Sequence, residues 1–332
     1  MKTLLLAMLV LLSGCASQRP ATDGAVQHLR LKDPVEGVRA RVLACSSKQA
    51  FASYWNASEL HLFDLATGAE TPVEPAPNGK PVVSADFNPD GSVLALGDSD
   101  GVIRLVATST GKETATIFPA IEPGVAILGV KVAFSRKGDV LGAAYGRYPL
   151  DRKGAALGIF RLIDAASRQE ISSFQVPSFL RPEDTVFSPD LGKALFGDSL
   201  YDLGTRERKT VDMGGERAVF TPDGSRALAV AHRTGVEIRI LSPGSGLVAR
   251  YPLGIDFFAR LALFTTGGEL VAIGEDTNKG TISIVDRNGL ALRDYSLTHP
   301  VTFETFALTP DHTRLVSDGE GGSLLVWDLR LE

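Results

Sequence analysis

The chain has 332 residues, 44% of them apolar, with 34 Lys plus Arg against 39 Asp plus Glu and a formal net charge of −5. An acidic balance without Lys/Arg runs leaves no electrostatic footprint for nucleic acid and argues against such a partner. The apolar share supports a sizeable buried core, and two cysteines are too few for a disulfide framework.

The N-terminus reads first. Met1-Lys2-Thr3 is a short basic lead, and Leu4–Leu12 is an apolar stretch of nine residues. A membrane-crossing helix needs about 20 apolar residues, so residues 1–14 read as a signal peptide. Leu12-Ser13-Gly14-Cys15 resembles the bacterial lipobox. That resemblance implies cleavage before Cys15, diacylation of its sulfur by palmitate-type chains, and a membrane anchor held by two or three acyl groups. Ala16-Ser17 lacks the Asp associated with inner-membrane retention. A Gram-negative source would therefore place the protein at the outer membrane, on the periplasmic side. Residues 15–24 form a polar tether reaching at most about 35 Å. The remainder, 25–332, is expected to be one folded array.

That array repeats. Seven apolar stretches each run into a Pro-Asp-Gly-like turn: Ser46–Gln49, Asn88–Gly91, Ser135–Gly138, Ser188–Gly192, Thr221–Gly224, Thr265–Gly268 and Thr309–His312. A hydrophobic-Asp pair closes most units, at Asp64, Asp164, Asp202, Asp286 and Asp328, with Ala107 and Ser242 in the degenerate copies. Successive closings lie 43, 57, 38, 40, 44 and 42 residues apart. A period in the low forties with four short strands per unit predicts a β-propeller blade, and no long apolar helical period follows residue 20. The expected fold is all-β, a seven-bladed propeller. The chain ends just after Asp328, at a third strand, while Ala25–Leu31 has strand composition. The N-terminal strand is therefore expected to complete the last blade and remove an open sheet edge.

The units resemble WD40 repeats, most clearly at Phe87–Gly111, Phe220–Gly246 and Leu308–Leu329, the last containing Trp327-Asp328. The Gly-His dipeptide of that family is missing, so the likeness is to a divergent bacterial array. The resemblance implies protein or peptide binding by a monomeric propeller.

Catalytic patterns fail on context. Gly97–Gly101 matches a G-x-S-x-G elbow by letters, but it lies in a strand-to-strand turn. Of five histidines, His28, His61, His232, His299 and His312, only His232 and His299 fall where a channel ligand belongs, too few for a three-ligand zinc site. No cofactor and no metal are expected. Cys45 reads as a small packed residue. The irregular positions are the candidates for an interaction surface. These are a blade 3 insertion, Tyr145–Ala156, carrying Arg147, Tyr148, Asp151, Arg152 and Lys153, and inter-blade connections with Phe179, Arg181, Phe257 and Phe258. His232 and Arg233 in a blade 5 loop complete the set. The expected function is a non-catalytic scaffold. The alternatives are a lactonase- or quinoprotein-type enzyme or small-ligand binder with its site at the ring axis, and a binder of cell-wall glycan.

Overall fold

The computed structural model describes residues 26–30, 40–54, 60–119, 124–150, 157–176, 181–213, 217–231, 236–242, 246–253, 257–264, 269–276, 281–296, 305–319 and 323–329. A first strand, β1 (Val26–Arg30), precedes blade 1, made of β2 (Ala40–Cys45), β3 (Gln49–Tyr54), β4 (Leu60–Asp64) and β5 (Glu70–Pro72). Blade 2 has β6 (Val82–Phe87), β7 (Val93–Asp98), β8 (Ile103–Ala107) and β9 (Lys112–Ile117). Blade 3 has β10 (Val125–Phe134), β11 (Val140–Pro149), β12 (Leu157–Asp164) and β13 (Glu170–Val176). Blade 4 is short: β14 (Val186–Phe187), β15 (Lys193–Phe196), β16 (Ser199–Asp202) and β17 (Arg208–Thr210). Blade 5 has β18 (Arg217–Phe220), β19 (Ala227–Ala231), β20 (Glu237–Ser242) and β21 (Gly246–Pro252), and blade 6 has β22 (Phe257–Phe264), β23 (Leu270–Asp276), β24 (Thr281–Asp286) and β25 (Ala291–Ser296). Blade 7 contributes β26 (Phe306–Leu308), β27 (Arg314–Asp318) and β28 (Ser323–Asp328).

These strands form seven four-stranded antiparallel sheets, a seven-bladed β-propeller. The seventh sheet has the order β1-β28-β27-β26, so the N-terminal strand closes the ring as expected. Val26 is in register with Trp327 and Arg30 with Ser323. Arg314 pairs with Asp328 at the same end. The folded part of the chain thus enters the ring on the face that carries the β26–β27 turn. Among the described residues no helix is long and apolar enough to cross a membrane.

Local chemistry explains the punctuation. Thr221 Oγ1 donates to Asp223 Oδ1 at 2.6 Å and accepts the Arg226 N–H at 3.1 Å, while Gly224 takes φ +71°. Ser188 with Asp190 and Thr309 with Asp311 repeat that staple at 2.6 and 2.7 Å. In these two copies Leu191 (φ 55°) and His312 (φ 56°) occupy the left-handed position that glycine fills elsewhere. The fourth turn therefore ends at Leu191, one residue earlier than the sequence suggested. The closing Asp has its own task, which is to fold its side chain over the next turn. Asp64 Oδ1 accepts the Thr67 N–H at 2.8 Å, Asp164 Oδ1 the Ser167 N–H at 2.7 Å, and Asp202 Oδ1 the Thr205 N–H at 2.8 Å. Such Asx turns satisfy backbone donors at a reversal.

Burial is greatest in the middle of each blade and least at the rim. Second and third strands are covered on both faces by neighbouring blades, as in Ala227–Ala231, buried throughout. Fourth strands such as Arg208–Thr210 are exposed. Seven apolar clusters fill the seven spaces between adjacent blades. One joins Leu29, Val316 and Leu324 of blade 7 to Val42, Ala52 and Phe63 of blade 1, which seals the ring. Another sets Trp327, Leu315 and Leu325 against Leu261, Ile273 and Ile284 of blade 6. The Trp327 indole N–H donates to Ser317 Oγ at 2.8 Å, so the polar edge of this buried ring is satisfied. Axis-side strands use side chains in place of a fifth strand. Ser84 Oγ donates to Val130 O at 2.6 Å and accepts the Val132 N–H at 3.1 Å, and Asp86 Oδ2 accepts the Phe134 N–H at 2.7 Å.

Candidate functional site

Blade 3 departs from the other six. β10 and β11 are ten residues long and β12 is eight, against about six in the neighbours. Most of the described part of the insertion therefore continues the strand. Arg147 and Tyr148, read from sequence as loop residues, lie in β11, paired with Ile127 and Ala126. Arg147 is 4% exposed and Tyr148 half-buried, so the reading of Arg147 as part of an inserted loop is corrected. The reason is the pairing: β10 begins at Val125 and supplies a partner for the lengthened β11.

The register then assembles a site. Tyr145 pairs with Ile159 and Arg147 with Leu157 across β11 and β12. Ile159 pairs with Gln175 and Arg161 with Ser173 across β12 and β13. Paired residues share a face, so Tyr145, Arg147, Ile159, Arg161, Ser173 and Gln175 all look toward blade 2. They line a cleft of about 390 Å³, joined by Glu170 and by Pro119 from the connection out of blade 2. That volume suits a small ligand or one projecting side chain. β11 runs away from its turn with β10, which places Tyr145 and Arg147 toward the face opposite the entry of β1.

Inside the cleft, Arg161 Nε donates to Glu170 Oε2 at 2.6 Å, and Ser173 Oγ donates to Glu170 Oε1 at 2.6 Å. The Ser173 hydroxyl and then the Arg161 guanidinium hold the Glu170 carboxyl below its ordinary range, against a smaller opposing effect of burial. The Arg161 guanidinium lies 5.9 Å from the Tyr145 ring centroid. Tyr145 is 2% exposed. Burial raises its phenol, with the Arg161 charge opposing. The Tyr145 hydroxyl and Arg161 Nη1 are both buried without a hydrogen bond of standard geometry, though the Arg161 guanidinium lies near enough to act on the hydroxyl as a donor. Gly101 makes the close packing possible. It sits at φ +83°, and a Cβ there would fall 2.8 Å from Ile127 Cγ2 and 3.3 Å from Tyr145 Cδ1.

Arg161 belongs to a recurring position, three residues before the closing of the third strand. His61, Arg104 and Arg239 are its counterparts. A glutamate nine residues on answers three of the four: His61 Nδ1 donates to Glu70 at 2.7 Å, Arg104 lies 3.8 Å from Glu113, and Arg161 pairs with Glu170. Arg239 instead pairs with Glu237 and Asp212. Sequence reasoning missed this set; its signal was the nine-residue spacing across the closing turn.

The other predicted residues do not converge here. Phe257 and Phe258 lie in β22 and not in a connection. Phe257 is buried against blade 5, while Phe258 is exposed under the Arg260 guanidinium, 4.5 Å from its ring centroid. Arg181 is exposed just before a single 3-10 turn, Pro182–Asp184. Asp151, Arg152, Lys153, Phe179, His232, Arg233 and Cys15 lie outside the described residues, as does His299. Among the described residues no group of three His, Cys, Asp or Glu is placed to hold a metal ion. Ser99 occupies the β7–β8 turn, organised by Asp98 Oδ1, which accepts the Val102 N–H at 2.8 Å. Cys45 is buried, and burial pushes its thiol up to about 12.

No family model matches the chain, and no curated protein matches it. Solved structures do. A chain from the crystal structure of a mitotic checkpoint complex superposes with a TM-score of 0.67 over 99% of both chains, at 14% identity. At that identity the likeness carries the propeller fold alone, as does the breadth of 1279 matching chains.

Proposed function

We infer that the protein is a non-catalytic interaction module, a divergent WD40-type propeller held at the periplasmic side of the outer membrane by lipid on Cys15. The observation that carries this reading is the break in regularity at blade 3. Lengthened strands there frame a cleft of about 390 Å³ on the face away from chain entry. The first described strand begins on the opposite face, so a short tether from Cys15 would turn the cleft toward the periplasm. Arg and Tyr, the residue types at its floor, are favoured interface anchors.

Two measurements test the reading. Cys15→Ser is expected to abolish palmitate labelling and to move the protein from membrane to soluble periplasm; retention in the membrane overturns the anchor. Since Arg147 and Tyr148 build the sheet, the appropriate loop variant replaces residues 151–156 with Gly and Ser. Crosslinking in intact cells is expected to yield a protein adduct with the native chain that this variant loses. Identical adducts from both, or turnover of a metabolite by the purified chain, overturn the scaffold reading.

A further inference from the structure

The ionic groups on the outer side of the blade 3 cleft answer one another. Arg161 Nε and Ser173 Oγ take the two oxygens of Glu170, each at 2.6 Å. A carboxylate meets a guanidinium in its plane and leaves the flat face for stacking. The Arg161 guanidinium already lies over the Tyr145 ring, 5.9 Å from its centroid. Its side chain is 13% exposed and lines the cleft, beside apolar wall from Pro119, Ile159 and Phe174.

The mouth of the cleft is apolar as well. One residue past the fourth strand, Val73, Val211 and Leu253 are 7%, 3% and 8% exposed, whereas Phe118, next to Pro119, is 71% exposed. Leu150 follows the end of β11, three residues beyond Arg147 in the cleft wall, and is 60% exposed. Leu128 lies in the extra length of β10, which β6 of blade 2 does not match. Of the seven large apolar residues exposed among the described residues, these three share one sector of the face away from chain entry. Exposed apolar side chains gathered in one place mark a surface that a partner covers.

We propose that the blade 3 cleft is a pocket for an aromatic side chain projected by a partner protein, the ring stacking on the Arg161 guanidinium and the flanking chain covering Phe118 and Leu150. A volume of about 390 Å³ admits a ring as large as indole. An aromatic face gains from a guanidinium what an aliphatic side chain cannot. An acid would meet Glu170 in the same wall. The exposed residues outside the cleft assign the ring to a protein, since a free aromatic molecule leaves them uncovered. The partner rests on the interaction reading above; the ring pocket rests on the cleft.

The test uses the purified full chain labelled with ¹⁵N-arginine and three blocked tripeptides, Gly-Trp-Gly, Gly-Leu-Gly and Gly-Glu-Gly. The Trp peptide is expected to shift the Arg161 Nε resonance saturably and to bind about three- to tenfold more tightly than either of the others. No shift from the Trp peptide, or equal or tighter binding of the Leu or Glu peptide, overturns the pocket. Phe118→Ala alters an exposed side chain and is expected to weaken the Trp peptide about threefold; unchanged affinity removes Phe118 from the site. 3-Methylindole is expected to bind more weakly than the Trp peptide, and equal binding overturns the protein as the source of the ring. If the Trp peptide binds and crosslinking finds no partner, the scaffold reading falls and the ring pocket stands. If a partner crosslinks and the Trp peptide does not bind, the reverse holds.

Discussion

Asp86 sits on β6, the axis-side strand of blade 2, with its Oδ2 accepting the Phe134 N–H of blade 3 at 2.7 Å. Burial pushes its carboxyl from the ordinary 3.8 up to about 6; the Phe134 N–H and the Lys131 charge pull the other way and do not overcome it. An acid whose folded value is raised binds its proton more tightly in the native state than in the unfolded one. The native protein therefore loses stability as pH climbs from about 4 through about 6, and at neutral pH it carries the full cost of the charge. Each pKa unit corresponds to about 1.4 kcal/mol, which sets an upper bound near 3 kcal/mol; Asp86 is only half-buried, so about 1–2 kcal/mol is the working figure. Asp86→Asn removes the charge and keeps a carbonyl oxygen for the Phe134 N–H. Urea unfolding followed by tryptophan fluorescence is expected to show the variant about 1–2 kcal/mol more stable at pH 7.5 and nearly equal to the native chain at pH 4. A difference that is the same at both pH values refutes the reasoning, because the effect would then be one of packing. A loss of stability at pH 7.5 refutes it more strongly, since the charge would then be favourable.

Three further outcomes follow from the same structure. Leu29→Ala empties a buried position where β1 seals blade 7 to blade 1, which is expected to cost about 2–4 kcal/mol and to speed amide exchange in Ser323–Trp327; unchanged exchange there removes β1 as the closing element. In Cys15→Ser protein, Cys45 is expected to resist iodoacetamide at pH 8 until urea is added, because burial holds its thiol protonated; stoichiometric alkylation of the folded chain contradicts this. The turn carboxylates Asp64, Asp164, Asp202 and Asp223 titrate below 3.8, held down first by Thr67, Ser167, Lys193 and Thr221 respectively. Their stabilisation is present above pH 3.8 and lost as pH falls through their folded values, about 2 for Asp202 and Asp223; melting temperature is expected to fall between pH 4 and 2, and a flat profile for the native chain counts against the Asx-turn account.

The blade count and the closure were legible because both depend on local chemistry. A Pro-Asp-Gly turn needs its own residues, and an Asx turn needs an Asp where the third strand ends, so each leaves a mark at fixed spacing. Thr221–Gly224 and Asp202 could be placed without coordinates for that reason. Arg147 was misplaced because strand length depends on the partner. Gly146, Arg147 and Tyr148 look like loop residues alone, and only the pairing of Val125–Ile127 with Arg147–Pro149 makes them strand. The Phe257-Phe258 pair misled in the same way, since an aromatic pair beside a turn fits a connection as well as the start of β22.

The cleft shows a deeper limit. Val73, Phe118, Val211 and Leu253 are all apolar, all one residue past a fourth strand, and in sequence nothing separates them. Three point inward and one outward; at two of the inward ones an arginine, Arg104 or Arg239, bonds to a connection carbonyl, a bond that Arg161 Nη1 lacks beside the outward one. Pattern constrains which residues can be buried; it does not say which burial the chain forgoes. In a repeat fold this is informative, because the regular blades supply an internal control. Arg104 and Arg239 each bond one Nη to a carbonyl of the preceding connection, and Arg161 is recognised by comparison with these siblings. Sites in such arrays are then best sought where equivalent residues have unequal partners.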